Sequence, residues 1–94
     1  MQIEHQENNA KGSFYFEQAG ARLAEMTYSR AGTHLMIIDH TEVSDTLRGK
    51  GAGKQLVQAA VEYAREHQIK ILPLCPFAKS VFDRTADWHD VLDR

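Results

Sequence analysis

His34-Leu35-Met36-Ile37-Ile38-Asp39-His40-Thr41-Glu42-Val43 runs through Ser44-Asp45-Thr46-Leu47 into Arg48-Gly49-Lys50-Gly51-Ala52-Gly53-Lys54. The apolar first half of this stretch predicts a strand over 34–43 with a central place in a sheet, buried on both faces. The glycines at 49, 51 and 53 leave the backbone without β-carbons, so that amide N–H groups can approach a ligand closely and residues can adopt φ > 0. A helix follows directly. From Gly51 to His67, Ala52, Leu56, Ala60, Tyr63 and Ala64 fall on one side, flanked by Val57 and Val61. Lys54, Gln55, Gln58, Glu62, Arg65 and Glu66 fall on the other, as expected of a helix laid on a sheet. The first N–H groups of such a helix have no carbonyl partners and its dipole adds partial positive charge, so a pyrophosphate suits the turn. Arg48, Lys50 and Lys54 reinforce that charge. The plainer alternative is a flexible glycine turn with no ligand.

Before this unit, short stretches with β-branched and aromatic residues alternate with turn clusters, which predicts an antiparallel meander. Ile3 to Glu7 is a weak strand, Ser13 to Gln18 a second and Ala21 to Arg30 a third. In the third, Ala24, Met26 and Tyr28 share one face, with Arg22 at its end, while Glu25 and Thr27 point away. After the helix, Lys70 to Leu74 predicts a short strand stopped by Pro76, and Phe77 to Arg84 a second helix, ahead of a tail at Trp88-His89-Asp90-Val91-Leu92. The order is four strands, helix, strand, helix: an α/β (α+β) chain with a mixed, mostly antiparallel sheet of about five strands.

With 94 residues and 10.7 kDa, the expectation is a single small domain over residues 1–94. Thirteen acidic against 11 basic residues give a net charge of −2, which offers no global attraction for nucleic acid or an anionic membrane. An anionic ligand must be held locally. One cysteine, Cys75, excludes a disulfide framework and a multi-cysteine zinc site. The histidines lack the pair spacing of a metal motif, so no metal is expected. No stretch reaches the roughly 18 apolar residues of a membrane span and the N-terminus lacks signal-peptide character, which points to the cytoplasm. The glycine spacing fits neither the dinucleotide fingerprint nor the Walker loop.

Val43-Ser44-Asp45-Thr46-Leu47-Arg48-Gly49-Lys50-Gly51-Ala52-Gly53 resembles motif A of the GCN5-related N-acetyltransferases, in which a strand leads into Arg/Gln-x-x-Gly-x-Gly/Ala and a helix. Arg48, Gly51 and Gly53 stand at its fixed positions. His40-Thr41-Glu42-Val43 and Pro73-x-Cys75-Pro76-Phe77 narrow the resemblance, which spans Leu35 to Phe82, to small single-domain acetyltransferase-like proteins of the YjdJ type. The resemblance implies the fold of that family, acetyl-coenzyme A (acetyl-CoA) as co-substrate and an amine of a peptide, protein or small molecule as acceptor. It further implies that Val43 hydrogen-bonds the pantetheine arm through its backbone. The amides of Arg48, Gly49, Lys50, Gly51, Ala52, Gly53 and Lys54 then hold the phosphates. A second family signature, Asn-x-x-Ala-x-x-x-Tyr, falls on Cys75, Ala78 and Phe82, which extends the cofactor-binding set to Ala78 and Phe82. Cysteine replaces the asparagine and phenylalanine the proton-donating tyrosine.

Acetyl transfer needs a neutral amine, a polarised thioester and a proton for the departing thiolate. His40 and Glu42, two apart on one strand, share a face and are candidates for the base; a solvated polar strand end is the plainer reading of both. Cys75, where the fifth strand ends, is the candidate acetyl carrier or proton donor, against the role of a small buried apolar residue. A module that binds CoA or acyl-CoA without turnover is the alternative function, consistent with Phe82.

Overall fold

In the computed structural model, which describes residues 1–93, five strands form one sheet in the order β1-β2-β3-β4-β5. They are β1 (Glu4–Asn8), β2 (Lys11–Gln18), β3 (Ala21–Ala31), β4 (Leu35–Val43) and β5 (Lys70–Pro73). The first three pairings are antiparallel and β4 with β5 is parallel. That parallel pair needs a crossover, which α1 (Ala52–His67) supplies. A short α2 (Pro76–Asp83) follows β5, and 3-10 turns cover Asp45–Leu47 and Ala86–Val91. Ala19 and Gly20, at φ 53° and 81°, close the β2–β3 hairpin in the left-handed region that two-residue hairpins use.

The core forms where Phe14, Ala24, Met26, Tyr28, Met36, Ile38 and Ile71 of the sheet meet Leu56, Val57, Ala60, Val61 and Ala64 of α1. The helical face expected from the sequence is the one buried, with Tyr63 half-buried at its margin. Strand β4 departs from expectation in two ways. It is flanked by β3 and β5, but the middle of the sheet is β3. Met36 and Ile38 are buried, whereas Leu35 and Ile37 on the opposite face are half-buried, because α1, α2 and the second 3-10 turn all pack with one another in a single layer.

Two bulges reset the side-chain alternation. Between Phe16↔Ala24 and Glu17↔Arg22, β3 carries the extra residue Leu23. Arg22 therefore does not continue the face of Ala24, Met26 and Tyr28: its guanidinium stacks 3.7 Å from the Tyr15 ring centroid and donates to Glu25 on the outer face. Between Thr27↔His40 and Tyr28↔Ile38, β4 carries the extra residue Asp39.

Candidate active site

Strand β4 is paired with β5 only from Leu35↔Lys70 to Ile38↔Pro73. The amides of Leu74 and Cys75 then both donate to Ile38 O, at 3.0 and 3.1 Å, and the chain turns into α2 at Pro76. Beyond Ile38, β4 keeps β3 on one side and has no strand on the other. The Asp39 bulge coincides with this parting. It directs Thr41 and Val43, opposite Met26 and Ala24, to the helix side, and His40 and Glu42, opposite Thr27 and Glu25, to the outer face.

On the helix side a cleft of about 390 Å³ runs between the glycine turn and α2, a volume within the range of small-molecule sites. The glycine turn, Val43 and Leu47 line one wall; Phe77, Val81, Arg84 and Thr85 line the other. Gly49 and Gly51 have φ of 79° and 71°, with Gly51 the N-cap of α1. Gln55 N makes the first helical bond, to Gly51 O at 3.0 Å, and the amides of Arg48 and Lys50 donate to Asp45 O and Leu47 O. The amides of Gly49, Gly51, Ala52, Gly53 and Lys54 have no protein acceptor among the described residues. Gly53 serves another purpose: a Cβ there would overlap the Phe77 ring, so glycine lets α2 approach α1. Among the described residues the cleft is lined by the cations Arg48, Lys54 and Arg84 and by no carboxylate.

Deeper along β4, Cys75 caps the N-terminus of α2 and is 5% exposed. Its Sγ lies 3.3 Å from Thr41 Oγ1. Burial pushes the thiol pKa up, but hydrogen bonding with the Thr41 hydroxyl and with the backbone at Ala78, Phe77 and Thr41 outweighs it, and the net effect is downward from the ordinary thiol value. On the outer face His40 Nε2 and Glu42 Oε1 are 2.8 Å apart, with side chains 64% and 77% exposed.

The residues named from sequence are thus distributed unevenly. Val43, Arg48, Gly49, Gly51, Ala52, Gly53 and Lys54 line the cleft, Ala52 by its backbone because its side chain is buried. Lys50 does not: its amide is engaged and its side chain lies in a separate hollow with Met1, Phe16 and Gln55. Ala78 and Phe82 also miss the cleft. Ala78 is completely buried, and Phe82 packs edge-on to Trp88 with ring centroids 6.3 Å apart. The face of α2 that reaches the cleft carries Phe77, Val81, Arg84 and Thr85. Their i, i+4, i+7, i+8 spacing was the signal that could have found them. Nothing local in the sequence links Thr41 to Cys75.

An open-ended parallel pair, a bulged strand and a cationic cleft at a helix N-terminus are what this α/β fold brings together. The model of the GCN5-related N-acetyl-transferases matches residues 13–91, and the chain belongs to that family of acetyltransferases. It is 39% identical to a GCN5-like protein of Staphylococcus aureus, whose solution structure aligns at a TM-score of 0.71 over 96% of this chain and 87% of that one. Protein NATD1 of Gallus gallus is 29% identical over 75 residues, covering 80% of this chain and 67% of that protein. A Clostridium acetobutylicum protein crystallised with acetyl-CoA shares the fold at a TM-score of 0.62, with 17% identity over 80% of this chain and 56% of that one. Among the described residues no helix is long and apolar enough to cross a membrane.

Proposed function

We propose that this chain transfers acetyl from acetyl-CoA to a primary amine, with the pyrophosphate on the glycine turn and the pantetheine arm along the unpaired edge of β4. The observation that carries this reading is the cleft itself, which combines free helix-terminal amides with three cations and no acid in a chain of net charge −2. Backbone amides supply most of the phosphate binding. Val43, at the end of the unpaired edge, offers backbone groups to the arm.

In this reading the thioester lies where β4 and β5 part, between Cys75 on the helix side and His40 with Glu42 on the outer face. The amine approaches from the outer face, and His40, oriented by Glu42, accepts its proton. The amine nitrogen attacks the carbonyl carbon, and the carbon–sulfur bond breaks as the acetyl group leaves CoA. Cys75, more acidic than a free thiol, protonates the departing sulfur and regains a proton from solvent. A covalent version has the Cys75 thiolate attack the carbonyl first, releasing CoA and leaving an S-acetyl group that the amine then removes. Mixing the protein with acetyl-CoA without acceptor separates the two by intact mass: a 1:1 acetyl adduct absent from Cys75→Ala identifies the covalent route.

Binding of CoA or acyl-CoA without turnover is the second reading, favoured by the burial of Phe82 where the family signature has a proton-donating tyrosine. Thiol release from acetyl-CoA over a panel of peptide amines, polyamines and amino sugars decides between them. Release above the no-acceptor rate establishes the transferase. Tight CoA binding with no release for any amine establishes the binding module.

A further inference from the structure

The cleft's three cations are not equivalent. Arg48 is committed to Asp45, with Nη2 2.9 Å from Oδ1. Lys54 stands in the first turn of α1, beside the free amides. Arg84 stands apart from both, at the C-cap of α2, seven residues beyond Phe77. Because the Phe77 ring rests on Gly53, that separation sets Arg84 about 10 Å along the helix from the glycine turn.

Arg84 is also held ready. Its backbone N–H donates to Ser80 O and Val81 O, each at 3.2 Å, and its Nε donates to Ser80 O at 3.1 Å. That last bond folds the side chain back along the helix and leaves both Nη groups without an acceptor among the described residues. No carboxylate pairs with the guanidinium among the described residues. The neighbouring Asp83 accepts from Lys79 at 3.1 Å and lines a different hollow with Leu72, Pro73 and His89. The adjoining Thr85 hydroxyl is spent on Val81 O at 2.8 Å, so Arg84 is the donor at this end of the cleft. A planar guanidinium with two open amino groups is matched to a phosphate, which it can grip through parallel hydrogen bonds.

We propose that Arg84 binds a second phosphate, separate from the pyrophosphate: the 3′-phosphomonoester on the ribose of CoA. The assignment rests on the coenzyme reading above and adds to it a selectivity, namely for 3′-phosphorylated CoA over its dephospho form. The pyrophosphate is common to both ligands and is held by the turn, whereas the 3′-phosphate alone reaches toward the C-terminus of α2.

Calorimetric titration of the full chain with CoA and with 3′-dephospho-CoA tests this. The natural protein should bind CoA roughly 5–20-fold more tightly than the dephospho form, as expected for a charge-assisted contact partly open to solvent. Arg84→Gln should bring that ratio to within about twofold of unity, while Lys79→Gln, on the far side of α2, should keep it. Arg84→Lys should retain part of it, since the charge stays and the fork is lost. Circular dichroism of each variant establishes that α2 is intact, and Arg84→Lys serves as the second variant should Arg84→Gln lose it. A ratio near one in the natural protein overturns the assignment, as does a ratio that survives Arg84→Gln. Failure of both ligands to bind brings down the coenzyme reading itself, an outcome distinct from equal binding of the two.

Discussion

At the end of the sheet that carries the β1–β2 and β3–β4 turns, Tyr28 Oη lies 2.6 Å from His5 Nε2 and donates to Glu7 Oε1 at 2.7 Å. The rings of His5, Phe14 and Tyr63 close over it, His5 stacked on Phe14 at 4.3 Å and edge-on to Tyr63 at 4.6 Å. At the other end of α1, the amides of Gly49, Gly51, Ala52, Gly53 and Lys54 have no protein acceptor among the described residues, and Arg48 projects into solvent beside Asp45. One end spends its polar groups on itself and the other keeps them available. Glycine shows the same division. Gly12 is required by close approach, since a Cβ there would lie 2.5 Å from Tyr28 Cζ and 2.7 Å from Gln6 O. Gly51 is required by its φ of 71°, with open space around a notional Cβ. Filling the first damages folding; filling the second damages the loop that would hold a phosphate.

The division can be broken most severely at the cleft end. Gly51→Val places a β-branched residue at positive φ and reshapes the turn, so CoA binding by calorimetry should fall below detection while far-UV circular dichroism keeps the native spectrum. Equal binding by the variant and the natural chain would remove the turn from the site. Next, Cys75→Ala should lower turnover at least about 10²-fold with little change in CoA affinity, the split expected when a proton donor or nucleophile is lost. If Cys75 is only a buried apolar residue, the rate per folded molecule stays near that of the natural protein. In the covalent version, the rate should also rise with pH through a thiol pKa lowered from its ordinary value.

At the Tyr28 end, Gly12→Ala should cost about 2–3 kcal/mol or more in urea unfolding, because the clash includes backbone as well as the Tyr28 ring. CoA affinity per folded molecule should be retained. A smaller effect concerns acid. His5 is held below 6.5, mainly by burial, with the charges of His67 and Arg30 adding and Glu7 opposing; Glu7 is held below 4.5, chiefly by the Tyr28 hydrogen bond. Both folded-state values are depressed, so their contribution is fully present above pH 6.5 and is lost as pH falls through those values. Thermal unfolding scans should show Tm falling below pH 6.5 in the natural protein and falling less in Tyr28→Phe. The smallest effect belongs to Lys50→Ala, which should weaken CoA binding by about 1 kcal/mol or less. A larger loss would mean that its side chain swings out of its hollow to the phosphates.

The sequence disclosed features governed by near neighbours. The buried face of α1 follows from residues three and four apart, and the glycine turn from three residues within five, so both are legible without a partner. The bulges are not, because Leu23 and Asp39 become extra only when another strand fixes the register. Helix α2 misled for a related reason. Phe77, Ala78, Val81 and Phe82 spread over an apolar arc of about 140°, so periodicity alone does not say which edge enters the core. Docking buries Ala78, Val81 and Phe82, with Val81 also touching the cleft, and leaves Phe77 exposed along it. The contact of Cys75 with Thr41 spans 34 positions and depends on how β4 and β5 part.

Asp39 gives β4 a frame, in the sense that a coding sequence has one. Upstream of it the even-numbered Met36 and Ile38 point inward; downstream the odd-numbered Thr41 and Val43 do. Loss of this single residue while the flanking pairings persist would join Ile38 directly to His40 and restore plain alternation, so that Thr41 and Val43 would still point inward and only the bulge would go. Loss of Ile37 instead, inside the regular run, would put Met36 and Ile38 on opposite faces. A one-codon deletion at the bulge should therefore be far better tolerated than one two positions earlier.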